Sequence, residues 1–378
     1  MHQYLYKGGD TISYFNESKI LMSALPGHPE DFLRLTLGYT VKPPPADLAA
    51  YESQMIYWNV VNSYFMVRLN ALMNLISFNH YFVNVVIYNF LTLIGTLYLF
   101  KWFFDNVTPQ KTILIFFLFF FPSVAFWAAG LHKDGLSIAA IGLILFHFQK
   151  ILQEIKWKYV VALFFGCWLL LMVRNYLLLL LIPCLLAYAF TIRFPKNGIV
   201  IFAITFLGFY FLIFKLDNFF PVLNLLSRMT EQQQEFLISK SAVTLPVYFL
   251  DGTFTSFSFA IPTALSNCLI HPFILKINSL YHLPFAIDNL LLFLLFIACF
   301  IFPANKGLRP GLILCIFVSI SIFLFAGSIV PNLGALVRYK MPGMLFLAVA
   351  IVSMIDSTKT KNYMKWNQIS QAIYNGYL

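Results

Sequence analysis

Asp10 is the residue in this chain whose type and context best suit a base. It follows Gly8 and Gly9 and precedes Thr11-Ile12-Ser13-Tyr14, with Glu17 further on. Two glycines let the backbone turn tightly ahead of the carboxylate. The chemistry on offer is general-base catalysis or ligation of a phosphate-bound metal. The plainer reading is an N-cap on the helix that follows.

Three further clusters combine cations with aromatic residues. In the first, Phe126-Trp127 leads to Gly130-Leu131-His132-Lys133-Asp134. Lys133 suits a phosphate, and His132 or Asp134 suits proton transfer. The same residues also fit a capped hairpin with snorkelling charges. In the second, Arg174-Asn175-Tyr176 joins two strongly apolar stretches through a very short connection. An ionisable group held at that depth is costly, and an Arg fork suits phosphate or pyrophosphate. A snorkelling turn residue is the alternative. In the third, Arg338-Tyr339-Lys340-Met341-Pro342 puts two cations within three residues. A long intervening segment adds Asn267, His271 and Pro272. A lone His there is more often structural than catalytic.

These residues must be positioned by membrane helices. The chain has 378 residues, 60% hydrophobic and only 11% charged, with a mean hydropathy of +0.78. Soluble domains carry about 25% charged residues. A chain this apolar cannot cover itself with a polar surface, so lipid is part of its solvent. The formal net charge of +10 does not indicate nucleic acid, because the positive charges lie in short loops between apolar runs. The five cysteines lack metal-ligand or redox spacing and read as small packing residues.

The sequence predicts an all-α polytopic bundle with about nine spanning helices, by the criterion of about 20 apolar residues per span. They run near Tyr81–Phe100, Thr112–Gly130, Leu136–Phe148, Val160–Met172, Leu177–Thr191, Gly198–Phe214, Phe285–Phe302, Leu312–Ala326 and Met341–Ile355. The expected organisation is an outer N-terminal segment over 1–79, helices one to six over 80–215, and an outer loop over 216–284. Helices seven to nine follow over 285–356, and a cytoplasmic tail over 357–378. One set of short loops, with the tail, holds twelve of the 25 Lys and Arg residues; the short loops of the other set hold four. The positive-inside rule makes the first set cytoplasmic. The N-terminal segment and the long loop then face outward. Met55–Ser77 reads as an interfacial helix, and Leu250–Leu269 as a re-entrant or surface-lying segment. Because 1–79 must cross the membrane with no signal ahead of it, a helix upstream of Met1 is expected.

In this orientation Lys133, Arg174, Arg338 and Lys340 all lie on the side that the rule disfavours for cations. Together they predict an anion site at the outer membrane surface, where the cations meet Asp10. Other signatures are lacking. The chain has no phosphate-cradling Walker loop, no haem motif and no His-rich metal pair. The spans read as almost uncharged and show no inverted repeat, which disfavours a pump or transporter.

The layout resembles the polytopic sugar transferases of GT-C type, which use lipid-phosphate donors. The resemblance rests on Gly9-Asp10-Thr11-Ile12-Ser13-Tyr14 in the first outer segment, on the short cationic hairpins, and on Arg338-Tyr339-Lys340-Met341-Pro342 near the last helix. O-antigen and exopolysaccharide polymerases share the architecture and are also similar. The resemblance implies a polyprenyl-phosphate-linked sugar donor, a glycan acceptor and surrounding membrane lipid as partners, in a bacterial inner membrane. It implies that Asp10 deprotonates the acceptor hydroxyl, and that Lys133, Arg174 and Arg338 hold the departing phosphate. Tyr14, Trp127 and Tyr339 would stack on sugar rings. His132, Asp134, Asn175 and His271 complete the candidate substrate-binding set. A divalent cation is compatible with this scheme, and the sequence leaves the metal requirement open. A flippase or transporter of lipid-linked sugars is the alternative from another class.

Overall fold

The computed structural model describes residues 10–38, 46–219, 225–239, 243–273, 282–304, 307–356 and 359. Gly8, Gly9 and all of the expected tail over 357–378 except Lys359 lie outside the described residues. The described residues are helical, with no strand among them. They form two compact units. The first comprises Met1–Trp102 and Val124–Leu179; the second comprises Phe103–Ser123 and Leu180–Leu378.

The helices run α1 (Asp10–Ala24), α2 (Pro29–Leu37), α3 (Ala46–Glu52), α4 (Val61–Ser77), α5 (Tyr81–Asn106), α6 (Lys111–Ile115), a π-helical turn (Phe116–Phe120), α7 (Pro122–Ala128), α8 (Lys133–Gln153) and α9 (Trp157–Arg193). Then follow α10 (Gly198–Phe219), α11 (Leu225–Ile238), α12 (Phe254–Ile270), α13 (Leu283–Ile301), α14 (Pro310–Ile329) and α15 (Leu333–Ser353).

Seven of these elements are long and apolar enough to cross a membrane: α5, α8, α9, Pro195–Ile213 at the start of α10, α13, α14 and α15. The count is eight if the bent pair Lys111–Phe120 and Pro122–Ala128 is one span. The two spans expected at Val160–Met172 and Leu177–Thr191 fall inside the single helix α9. Its 37 residues would measure about 55 Å if straight, against a hydrocarbon core of about 30 Å. The helix instead breaks at Arg174, whose φ of −149° and ψ of 78° are not helical. The chain thus turns where the sequence places its polar tripeptide.

In the first unit, α1 packs on α4 and on α2. Tyr14, Leu21 and Ser18, spaced at helical intervals, make the buried face of α1. Pro29 opens α2, Glu30 and Asp31 occupy its first turn, and Gly38 closes it at a φ of 72°. That left-handed cap donates to the Arg34 and Leu35 carbonyls, a geometry glycine adopts without strain. The Met55–Ser77 segment is helical only from Val61, so Tyr57 sits in the loop ahead of the helix. A ladder of buried amides ties α1, α4 and α5. Asn74 Nδ2 donates to Ser18 Oγ at 2.8 Å, and Asn84 Nδ2 donates to Asn74 Oδ1 at 2.7 Å. Gly95 and Gly142 bring α5 and α8 into backbone contact, the small-residue packing that membrane helices favour.

In the second unit, α14 packs against α15 and α12, and both α14 and α15 are largely buried. The Leu250–Leu269 region is the 17-residue helix α12, which Thr253 caps by accepting the Ser256 N–H. In contrast, α10 and α13 expose most of their apolar side chains, among them Leu207, Phe293 and Phe300. Those surfaces are compatible with hydrocarbon and costly in water.

Candidate functional site

The first unit brings five of the predicted residues, Asp10, Tyr14, Lys133, Asp134 and Arg174, into two connected sets. Asp10 stands in the first turn of α1, where the helix dipole favours a carboxylate. The Tyr57 hydroxyl donates to its Oδ1 at 3.4 Å. The Tyr57 ring packs at 5.0 Å on the ring of Tyr14, one turn along α1 from Asp10. Lys133 Nζ lies 5.9 Å from the Tyr14 ring centroid and donates to Ser63 Oγ at 2.9 Å. Acid, two phenols, ammonium and hydroxyl therefore form one string across α1, the Tyr57 loop, α4 and the start of α8.

Glu17 holds this string in place. It is buried in α1 and accepts the backbone N–H groups of Ile56 at 3.0 Å and Tyr57 at 3.2 Å. Burial pushes its proton affinity above the ordinary carboxylate value, and the two N–H donors partly offset that. Burial also raises the Tyr57 phenol, helped by the negative charge of Asp10. Tyr57 thus stays protonated and keeps its donor pointed at Asp10.

The second set starts at the next residue. Asp134 is 1% exposed, and its Oδ1 accepts Arg174 Nη2 at 2.6 Å. Arg174 is 6% exposed and donates from Nη1 to the Tyr176 hydroxyl at 3.1 Å. Successive helix residues point about 100° apart, so the first turn of α8 serves both sets: Lys133 toward α4, Asp134 toward the break in α9. His132 is the N-cap of α8, and its carbonyl accepts the Tyr88 hydroxyl. Tyr88 also accepts the Leu136 N–H at 3.3 Å, which fixes the end of the helix that carries Lys133 and Asp134. The Trp127 ring meets the His132 imidazole edge-on at 5.4 Å. Asn175 is exposed, and its Oδ1 accepts the Tyr176 N–H.

No family model, curated protein or solved structure matches the chain.

The remaining predicted residues belong to the second unit. Arg338 and Tyr339 are half-buried on α15, where Tyr339 meets Phe236 edge-on at 5.9 Å. His271 follows α12, and its carbonyl oxygen accepts from Lys340 on α15. Asn267 Nδ2 donates to the Pro246 carbonyl at 2.8 Å.

Lys340 requires a correction. The sequence makes it an outer cation that awaits an anion. It is instead 2% exposed, and its Nζ donates to Cys268 O at 2.6 Å, His271 O at 2.7 Å and Asn289 Oδ1 at 3.0 Å. An ammonium has three donors, and three neutral oxygens take them. Two are carbonyls at the negative end of the α12 dipole, which favours a cation there.

Arg174 also has its partner inside the protein, in this case a carboxylate. Its role in the first set is indirect, since the pair with Asp134 locks the helix turn that presents Lys133. Tyr57 and Ser63 were not legible as site residues. Tyr57 fits a helical apolar pattern in the sequence, and only the loop before α4 turns it toward Asp10. Among the described residues, no three His, Cys, Asp or Glu side chains gather in a way that could hold a metal ion.

Proposed function

We propose that this chain is an integral membrane glycosyltransferase that moves a sugar from a polyprenyl-phosphate donor to an envelope glycan or glycoconjugate acceptor at the outer face of a bacterial inner membrane. The observation that carries the reading is the string Asp10, Tyr57, Tyr14, Lys133. It sets a base, flat aromatic faces and a cation side by side, as sugar transfer from a phosphate requires. Asp10 takes the proton of the acceptor hydroxyl. Tyr57 faces the sugar, backed by the buried ring of Tyr14. Lys133 meets the phosphate as its negative charge grows in the transition state. The Asp134–Arg174 pair fixes Lys133. The chain makes nine spans in this reading, with the bent pair counted as one and α9 as two that meet at Arg174. The α1–α4 segment then lies at the outer interface.

Intact mass analysis of lipid-linked glycans tests the assignment. Cells with Asp10→Asn or Lys133→Ala, at unchanged membrane abundance, should accumulate donor and lose product. Normal glycans from both variants end the catalytic reading.

A lipid-linked sugar flippase is the second reading. It is favoured by Asp288 and Lys340, ionisable groups buried within α13 and α15. Such groups line pathways in transporters. Flipping of labelled lipid-linked sugar in vesicles, with no transfer to acceptor, would select it.

A further inference from the structure

The second unit buries a carboxyl that has little to hold it. Asp288, on α13, is 1% exposed. Its Oδ2 accepts the Ser123 backbone N–H at 2.9 Å, and its Oδ1 meets no donor. Ser123 is 3% exposed, and its hydroxyl lies beside the same carboxyl. The positive charge acting on Asp288 is Lys340. Lys340 cannot supply the missing donor, because its three N–H groups already go to Cys268 O, His271 O and Asn289 Oδ1. The other titratable groups on the surrounding elements are Cys268, His271, His282, Arg338 and Tyr339. The π-helical turn carries none, and α14 carries only Cys315.

A charged carboxylate in an apolar interior is stable only with a full set of donors or a direct counter-ion. Asp288 has only the neutral Ser123 N–H and hydroxyl beside it, and no ion pair among the described residues. A proton on Oδ1 removes the charge and turns that oxygen into a donor, for which the Ser123 hydroxyl is the adjacent acceptor. A hydroxyl donated to the ionised carboxylate leaves the buried charge in place, whereas the proton removes it.

We propose that Asp288 is a proton-exchange site within the membrane-spanning helices, with the Ser123 hydroxyl as its hydrogen-bond partner in the protonated state. The inference is independent of the transferase reading, which rests on the first unit. An exchangeable proton at this depth gives the second unit a means of coupling proton uptake to a change in structure.

Infrared difference spectra of the full chain in lipid nanodiscs, titrated with acid in water and in heavy water, test it. A carboxylic-acid carbonyl band should grow as pH falls and shift in heavy water. It should change frequency in Asp288→Glu and in Ser123→Ala, and vanish in Asp288→Asn. The proposal fails if the band survives in Asp288→Asn. It fails equally if that variant loses only ionised-carboxylate signal over the whole range where circular dichroism reports a folded protein, the result expected of a carboxylate served by internal water. If Asp288→Asn does not fold, an identical acid band in wild type and Asp288→Glu overturns it.

Discussion

Arg174 and Asp134 meet at 2.6 Å with both side chains buried, one at the break in α9 and the other in the first turn of α8. The pair joins the non-helical break in α9 to the helix end that carries Lys133.

Breaking that pair from one side leaves a buried charge without its counter-ion, which typically costs about 3–5 kcal/mol. Arg174→Leu and Asp134→Leu should each destabilise the protein by that order, and the double variant should recover much of the loss. Thermal unfolding in nanodiscs, arranged as a double-mutant cycle, measures the coupling. Additive losses would show that the two side chains act separately.

At Gly142 a Cβ would lie 2.2 Å from the Gly95 carbonyl oxygen and 2.8 Å from the Leu99 nitrogen. Backbone atoms cannot rotate aside, so Gly142→Ala should lower stability by about 1–3 kcal/mol, as overpacking does. Gly208, with open space around its Cβ position, should accept alanine without loss. The melting temperatures of the two variants make the comparison.

Glu17 gives a pH dependence of definite sign. Burial raises its proton affinity in the folded protein, so the native state binds more protons than the unfolded state around the Glu17 titration. Stability contributed by Glu17 is then greatest at low pH and falls as pH rises from the ordinary carboxylate value through the raised one. Glu17→Gln should flatten that slope. Hydrogen exchange at the Ile56 and Tyr57 amides, which donate to Glu17, should report it locally. A slope unchanged in the variant would assign the effect to another group.

Lys340→Met keeps the length of the side chain and removes every donor. Three buried oxygens would lose their partner, at about 1–3 kcal/mol for each unsatisfied group, so the variant should unfold at much lower temperature. Lys196, which is exposed, serves as the contrast. Its Met variant should stay within about 0.5 kcal/mol of wild type.

The helical class was legible because length and apolarity alone forbid anything but lipid-facing helices. The break at Arg174 was legible because a charged tripeptide between two apolar runs has no other place to go. The roles of the cations were less legible. Sequence counts Lys340 as an unmatched charge, because main-chain carbonyls, which match it, leave no trace in residue types. Asp288 passed unnoticed for a related reason. One acid in a long apolar run hardly changes its hydropathy, whatever it touches. Tyr57 was hidden by periodicity, since a residue one turn before a helix continues the helical pattern while its backbone does not.

The three oxygens that receive Lys340 bear on how the chain is made. Cys268 and Lys340 are 72 positions apart, and α14 emerges from the ribosome between them. A nascent chain that has finished α14 therefore carries the end of α12 with its acceptors unfilled. Translation of α15 delivers the ammonium that closes them, so a later, longer helix secures an earlier, shorter one. Truncation before residue 340 should then leave α12 more open to proteolysis, however well the preceding helices have inserted.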